Sequence, residues 1–366
     1  MKVMKYGVLF GVLLGFFIII TIYKQLVQRK VIKHDDFLIE RPSEITSTSQ
    51  HTQKGLTFGS LAILNSCWSE EELMGRPSDK KIIRPAPTSS RNIVDRLIPK
   101  NIRPPLDINL RNSIRSVRPV GNYKIVALTF DLCERENEIT GYDADIVNYL
   151  RSYNIKATFF AGGKWMRSHP DKMMQLIADP LFEIGNHAWT HGNLRVLKGK
   201  EMEDQILWTQ AQYELLWEKL ESKTYVKNLG PFEMSKIPKI PLAFRFPYGA
   251  CSSESLRTLA QYGLPAIQWD IVTGDSWGRQ TPEGIAKIVL QKTKPGSIIV
   301  CHANGRGHHT AKALTIFIPK LRKVGYRFVT ISELLTYGPV VATNDCFELK
   351  SGDTLRYDKR FGKGTE

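Results

Sequence analysis

The chain has 366 residues and a formal charge of +15, from 51 Lys and Arg against 36 Asp and Glu. That length can bury a large core, so it allows one large α/β domain or one domain with substantial extensions. The basic residues are scattered through predicted helices and linkers without interleaved aromatic residues or a DNA-reading motif. Nucleic acid is therefore excluded as the expected partner, and an anionic polymer or a membrane surface meets the same charge.

Residues 6–23 carry no charge, are rich in Ile, Leu, Val and Phe, and follow Lys2 and Lys5. As a helix this stretch would be about 27 Å long, enough to cross a hydrocarbon layer. No small-residue cleavage site follows it, so residues 1–33 read as an uncleaved signal anchor with the membrane as partner through residues 6–23. Lys24, Arg29, Lys30 and Lys33 outnumber the positive charges before the segment, and a positive-inside count alone would keep the remainder in the cytoplasm. The chemistry of the later clusters outweighs that count, and the expected location is the cell envelope, anchored in the inner membrane with the catalytic part outside the cytoplasm.

Residues 34–120 have no long amphipathic period and are rich in Pro and Ser, which reads as a linker and irregular wrapping segment. From residue 124 the pattern changes. Strands are predicted over 124–130, 156–161, 182–185, 242–246, 266–271, 297–301 and 326–330. Helices are predicted over 144–153, 171–178, 201–221, 254–261, 282–291 and 310–323, the fifth opened by a Thr281 cap with Pro282 at its first position. Near-continuously apolar strands joined by helical crossovers imply a mainly parallel sheet covered on both faces, as a barrel or an open sheet. Residues 121–337 form the expected catalytic domain, and residues 338–366 a polar tail that wraps it with little catalytic relevance.

Parallel α/β folds gather functional loops at the carboxyl ends of their strands, and five polar clusters occur there. The first is Thr129-Phe130-Asp131-Leu132-Cys133-Glu134, where an acid ending an apolar strand is costly unless paired. The second is His187 and His191, four apart, which share a face if the turn is helical and then offer two imidazoles to one cation. The third is Arg245-Phe246-Pro247-Tyr248-Gly249, whose guanidinium can hold a carboxylate through two donors. The fourth runs from Trp269 and Asp270 to Asp275, Ser276 and Trp277, acids that can orient an imidazole beside aromatic rings that can line a pocket. The fifth is Val300-Cys301-His302, a histidine poised at a cleft mouth as a general acid. A Gly-x-Ser-x-Gly nucleophile motif is absent.

In this order the five motifs resemble the polysaccharide deacetylases, the NodB-like family of metal-dependent carbohydrate esterases, over residues 120–337. The resemblance implies an α/β fold of the distorted (β/α) barrel type, here with an N-terminal membrane anchor and irregular extensions. It implies a hydrolase that removes N-acetyl groups from an envelope glycan, peptidoglycan N-acetylglucosamine foremost, releasing acetate. Asp131 is then the catalytic base, Arg245 its partner, His302 the general acid and Asp275 its orienting carboxylate, with Asp270 the competing choice. Tyr248 supplies a backbone N–H to the oxyanion, Trp277 lines the pocket, and His187 and His191 hold one divalent ion, zinc foremost, with cobalt or nickel as alternatives.

The chain departs from the family at Leu132, where the usual second aspartate would complete the metal triad. Glu134, Cys133 or water is the expected substitute. Asp275-Ser276-Trp277 is also one residue longer than the family's adjacent Asp-Trp. Two other readings stay open: an inactive glycan-binding barrel, and an amide hydrolase acting on a different non-peptide C–N bond.

Five cysteines without a Cys-x-x-Cys pair leave at least one thiol free in a monomer. Cys133 with Cys251 is the first expected disulfide, bracing the site that lacks its usual acid, and Cys67 with Cys346 the second.

Overall fold

A computed structural model describes residues 58–84 and 94–362. All belong to one compact unit, Gly55–Glu366. Eight strands form a single curled sheet: β1 Ser113–Val117, β2 Ile125–Leu132, β3 Ala157–Ala161, β4 Phe182–Asn186, β5 Ile271–Val272, β6 Ser297–His302, β7 Arg327–Val329 and β8 Val340–Thr343. The path is β4-β3-β2-β6-β1-β8, with β5 against β6 and β7 against β2. Strands β2 to β7 pair in parallel, whereas β1 and β8 run antiparallel.

The α/β expectation and its barrel-like curl hold, but the sheet is a half-barrel. The stretches expected as strands 242–246 and 266–271 contribute single bridges, Asn186 to Phe244, Phe244 to Ala266 and Ile114 to Ile267, besides the short β5. Pro241, Pro247 and Pro265 flank these stretches and supply no ladder N–H, which limits them to isolated contacts. Strand β1 lies within the segment expected to be irregular, and the tail adds β8 beside it.

Strand β2 shows how the sheet carries both core and site. Its Val126, Leu128, Phe130 and Leu132 join the larger apolar cluster, which also takes in the helices at Ala144–Ser152 and Thr310–Lys323. Ile125 and Ala127 join a second cluster, and the same alternating row ends in Thr129 and Asp131. The long helix Gly199–Ser222 falls where the sequence places one and buries Met202, Ile206, Tyr213, Trp217 and Leu220.

Among the described residues no helix is long and apolar enough to cross a membrane. The membrane as partner, the anchored fold and the inner-membrane placement are corrected accordingly. The stretch 6–23 on which they rested lies outside the described residues.

The disulfide expectation is also corrected. Cys251 pairs with Cys346, their Cα atoms 5.3 Å apart. Cys67, Cys133 and Cys301 are free thiols. The bond clips the tail to the loop after Tyr248, and Arg115 of β1 holds the tail again by donating from Nη1 to the Phe347 carbonyl at 2.8 Å.

Candidate active site

Asp131 and His302 are register partners at the ends of adjacent parallel strands, so β2 and β6 deliver both side chains to one place. Arg245 is fully buried there and donates from Nη1 to Asp131 Oδ1 at 2.9 Å and to Thr129 Oγ1 at 2.7 Å. Its Nε and Nη2 bond the carbonyls of Ile267 and Gln268, and its guanidinium lies 4.1 Å from the Phe160 ring centroid. A buried charge so paired and hydrogen-bonded holds a single orientation. Burial alone would raise the Asp131 carboxyl, but the Arg245 guanidinium above all holds it below the usual carboxylate range.

His302 has the opposite balance. Burial disfavours its charge, yet Asp275 lifts the imidazole above the usual histidine value. The ring Nδ1 lies 2.9 Å from Asp275 Oδ1, while the other carboxylate oxygen accepts from His302 N and Thr310 Oγ1, both at 2.7 Å. Asp270 is not a second partner. It accepts from Ser297 Oγ and Ile298 N, each at 2.8 Å, and so braces the opposite end of β6.

His187 and His191 come together, with ring centroids 4.9 Å apart, but not on a helix. Ala188 (φ 64°) and His191 (φ 58°) are left-handed and wind the chain into a tight irregular turn after β4. Such backbone is uncommon for residues with a side chain and is held here by its surroundings. The Asn186 amide ties the turn to the helix Gly199–Ser222 through Ile206 O and Gln210 Oε1. His187 Nδ1 lies 2.9 Å from the Arg245 carbonyl, which assigns the ring proton to Nδ1 and leaves the Nε2 lone pair free. That Nε2 is buried without a hydrogen-bond partner, 3.7 Å from Asp131 Oδ2. Burial lowers both histidines, His191 well below its usual value, so both are neutral imidazoles of the kind that ligate cations.

The substitutes for the missing acid are not brought to this pair. Glu134 is consumed by Lys164 Nζ at 2.8 Å, Thr140 N at 2.9 Å and Ser168 Oγ. Cys133 lines the pocket, but burial pushes its thiol up to about 11, away from the thiolate form. Among the described residues no group of three or more His, Cys, Asp or Glu could hold a metal ion. The donors present therefore suit a divalent cation as a pair of imidazoles, with the remaining positions open.

The pocket has a volume of about 410 Å³ and is lined by Asp131, His191, Tyr248, Asp275, Trp277 and His302, among others. Tyr248 (φ 60°) bends the chain so that its ring contacts His191, with centroids 4.4 Å apart. Trp277 is 46% exposed and presents an open face at the mouth.

Sequence reasoning missed the rest of the lining. Glu348, Tyr357, Arg360 and Phe361 from the tail form a wall, with Phe361 stacked on Tyr248 at 4.3 Å, so the tail is part of the pocket. A short helix, Leu355–Arg360, with Phe361 as its C-cap, places Tyr357 and Phe361 four apart, and its Asp358 is held by Arg195 at 2.8 Å and by Asn193 at 2.8 Å. The aromatic spacing was the available signal, hidden by the charged residues around it.

The pattern of the polysaccharide deacetylase family matches residues 119–231. A peptidoglycan-N-acetylglucosamine deacetylase of Bacillus cereus is 30% identical over 218 residues, covering 59% of this chain and 90% of the relative. Another, of Listeria monocytogenes, is 27% identical over 263 residues, covering 72% of this chain and 48% of its own length. Among solved structures, a CE4 family pseudoenzyme from Bacillus anthracis is 27% identical with a TM-score of 0.48, covering 61% of this chain and 68% of that one.

Proposed function

The chain belongs to the polysaccharide deacetylase family, and from that membership we propose that it hydrolyses N-acetyl groups on an envelope glycan, with peptidoglycan N-acetylglucosamine the first substrate. The observation that carries this reading is the pairing of Asp131 with Arg245 and of His302 with Asp275 in one pocket, each at 2.9 Å. The two pairs drive their titratable groups in opposite directions, which is how acid and base roles are separated at one pH.

Asp131, kept as a carboxylate by Arg245, accepts the proton of the attacking water. In this reading the Tyr248 backbone N–H is the donor to the oxygen that gains charge as the tetrahedral centre forms. His302, kept protonated by Asp275, gives its proton to the departing nitrogen, because an unprotonated amine is a poor leaving group. Acetate and a free amino sugar result, without an acyl-enzyme. The family is generally metal-dependent; His187 and His191 would hold a divalent cation, zinc first, which when bound supplies Lewis acidity towards the acetyl carbonyl.

The deciding experiment is acetate release from purified peptidoglycan by the full chain, stripped and then supplied with zinc, cobalt or nickel. Metal-dependent release that is lost in His187→Ala and in Asp131→Asn is expected. A second reading, a glycan binder without turnover, is favoured by Leu132, which is fully buried in the apolar cluster and offers no ligand atom. Glycan binding without acetate release under any of the three metals would select it.

A further inference from the structure

Glu348 is a carboxylate that the tail brings to the pocket, and no step of the reaction above uses it. It lies outside residues 119–231, which carry the family pattern. Its backbone is fastened on both sides. The N–H donates to Asp353 Oδ1 at 3.0 Å, and the carbonyl accepts from Trp269 Nε1 at 3.1 Å and from Arg115 Nη2 at 3.3 Å. Two residues earlier, Cys346 is bonded to Cys251. Strand β8 has already ended at Thr343, so these ties add nothing to the sheet ladder; they fix where the Glu348 side chain meets the pocket.

That side chain is 16% exposed, and Arg356 Nη2 donates to its Oε2 at 2.8 Å. The same Nη2 donates to the Tyr357 hydroxyl at 3.0 Å, which holds the guanidinium to one side of the carboxylate. Among the described residues nothing hydrogen-bonds Oε1. A carboxylate offers about four lone-pair sites, so most of its accepting capacity is unmet by protein. Burial pushes the carboxyl above the ordinary glutamate range, against the opposing charges of Arg356 and His302. The other acids of the pocket, Asp131 and Asp275, already face Arg245 and His302. Glu348 is thus an acceptor near the general acid, beside the ring whose nitrogen that imidazole serves.

Resting on the glycan reading above, we propose that Glu348 is a substrate-binding residue that accepts a hydrogen bond from a hydroxyl of the acetylated sugar ring. It makes the pocket selective for a hydroxylated ring over other N-acetyl compounds. A site built to hydrogen-bond a hydroxyl rejects an analogue that lacks it, because the desolvated acceptor is then left unpaired. An acetylated amine on an alkyl chain would leave Glu348 in that condition. Trp277, open at the same mouth, supplies a flat face for the ring, so stacking and hydroxyl recognition come from different segments of the chain.

The test is NMR titration of the full chain, with zinc present, by methyl N-acetylglucosaminide and by three forms of it that each lack one hydroxyl. Glu348→Ala is expected to weaken binding of the complete sugar about tenfold, and Glu348→Gln, which keeps an accepting oxygen, about threefold. The backbone ties persist in both variants. Loss of the hydroxyl that Glu348 holds should cost about tenfold in the parent chain and nothing further in Glu348→Ala, whereas the other two forms should lose equally in both proteins. Binding unchanged in Glu348→Ala, losses that add for every hydroxyl, or no binding of the complete sugar to the parent chain overturns the proposal. So does a displaced alkaline limb of acetate release with binding kept, which would make Glu348 a tuner of His302 instead. Acetate release from peptidoglycan is followed in parallel. A coupled hydroxyl without acetate sinks the deacetylase reading and leaves this one standing, whereas acetate release with uncoupled losses does the reverse.

Discussion

Asp131 and His302 stand opposite each other in the register of two parallel strands, and each is set by a different neighbour. Replacing Asp131 with Asn keeps the shape but removes the proton acceptor, so acetate release should fall at least about a hundredfold with the circular dichroism spectrum unchanged. The pH profile follows from His302, which faces Asp275, Asp131 and Arg306. Its folded value is raised, so the acid form is complete below the ordinary histidine range and is lost as pH rises through the elevated value. Activity should decline on that alkaline limb, and Asp275→Asn should move the decline to lower pH; an unmoved limb would remove His302 from the acid role. Arg245→Gln leaves the Asp131 carboxylate buried without its partner and should cost about 3–5 kcal/mol in urea unfolding.

At the scale of elements, the sheet end and the tail make separate contributions. The strand ends were legible because apolar runs closing on Asp131 and His302 leave little choice about where those side chains emerge. The pairing of Asp275 rather than Asp270 with His302 was legible only as one of two options, since both acids flank the short strand β5. The histidine pair was legible in its spacing, and a helical turn was only one way to bring the rings together; left-handed Ala188 and His191 do it differently. The tail was read as a wrapping and its place in the pocket missed, because long-range contacts such as Arg195 with Asp358 leave no local periodicity. Cys251→Ser with Cys346→Ser should lower unfolding free energy by about 2–5 kcal/mol and weaken substrate binding, read as a lower thermal midpoint and a raised KM. A raised KM with kcat kept would place the tail in binding alone.

For the molecule as a whole, the test is whether two imidazoles suffice. A ligand that binds only the folded chain raises stability by RT ln(1 + [L]/Kd), about 2.7 kcal/mol at a hundred times Kd. Zinc added to stripped protein should therefore raise the thermal midpoint with a logarithmic dependence on concentration, and His191→Ala should abolish the rise. An unmoved midpoint in the parent chain at millimolar zinc would mean that the pair does not hold the ion. The broad α/β class was legible from the alternation of strands and helices, whereas closure of the barrel was not. Apolar pattern identifies buried segments, but the prolines that reduce two of them to single bridges act through missing donors rather than through hydrophobicity.

The bond between Cys251 and Cys346 also orders events in time. As the chain is synthesised, β2 to β7 and the paired groups Asp131–Arg245 and His302–Asp275 are complete before residue 346 exists. The wall formed by Tyr357 and Phe361 arrives only afterwards and is fastened by thiol oxidation. A nascent chain thus holds its chemical groups in an unfinished vessel, whose last wall is put in place only at the end.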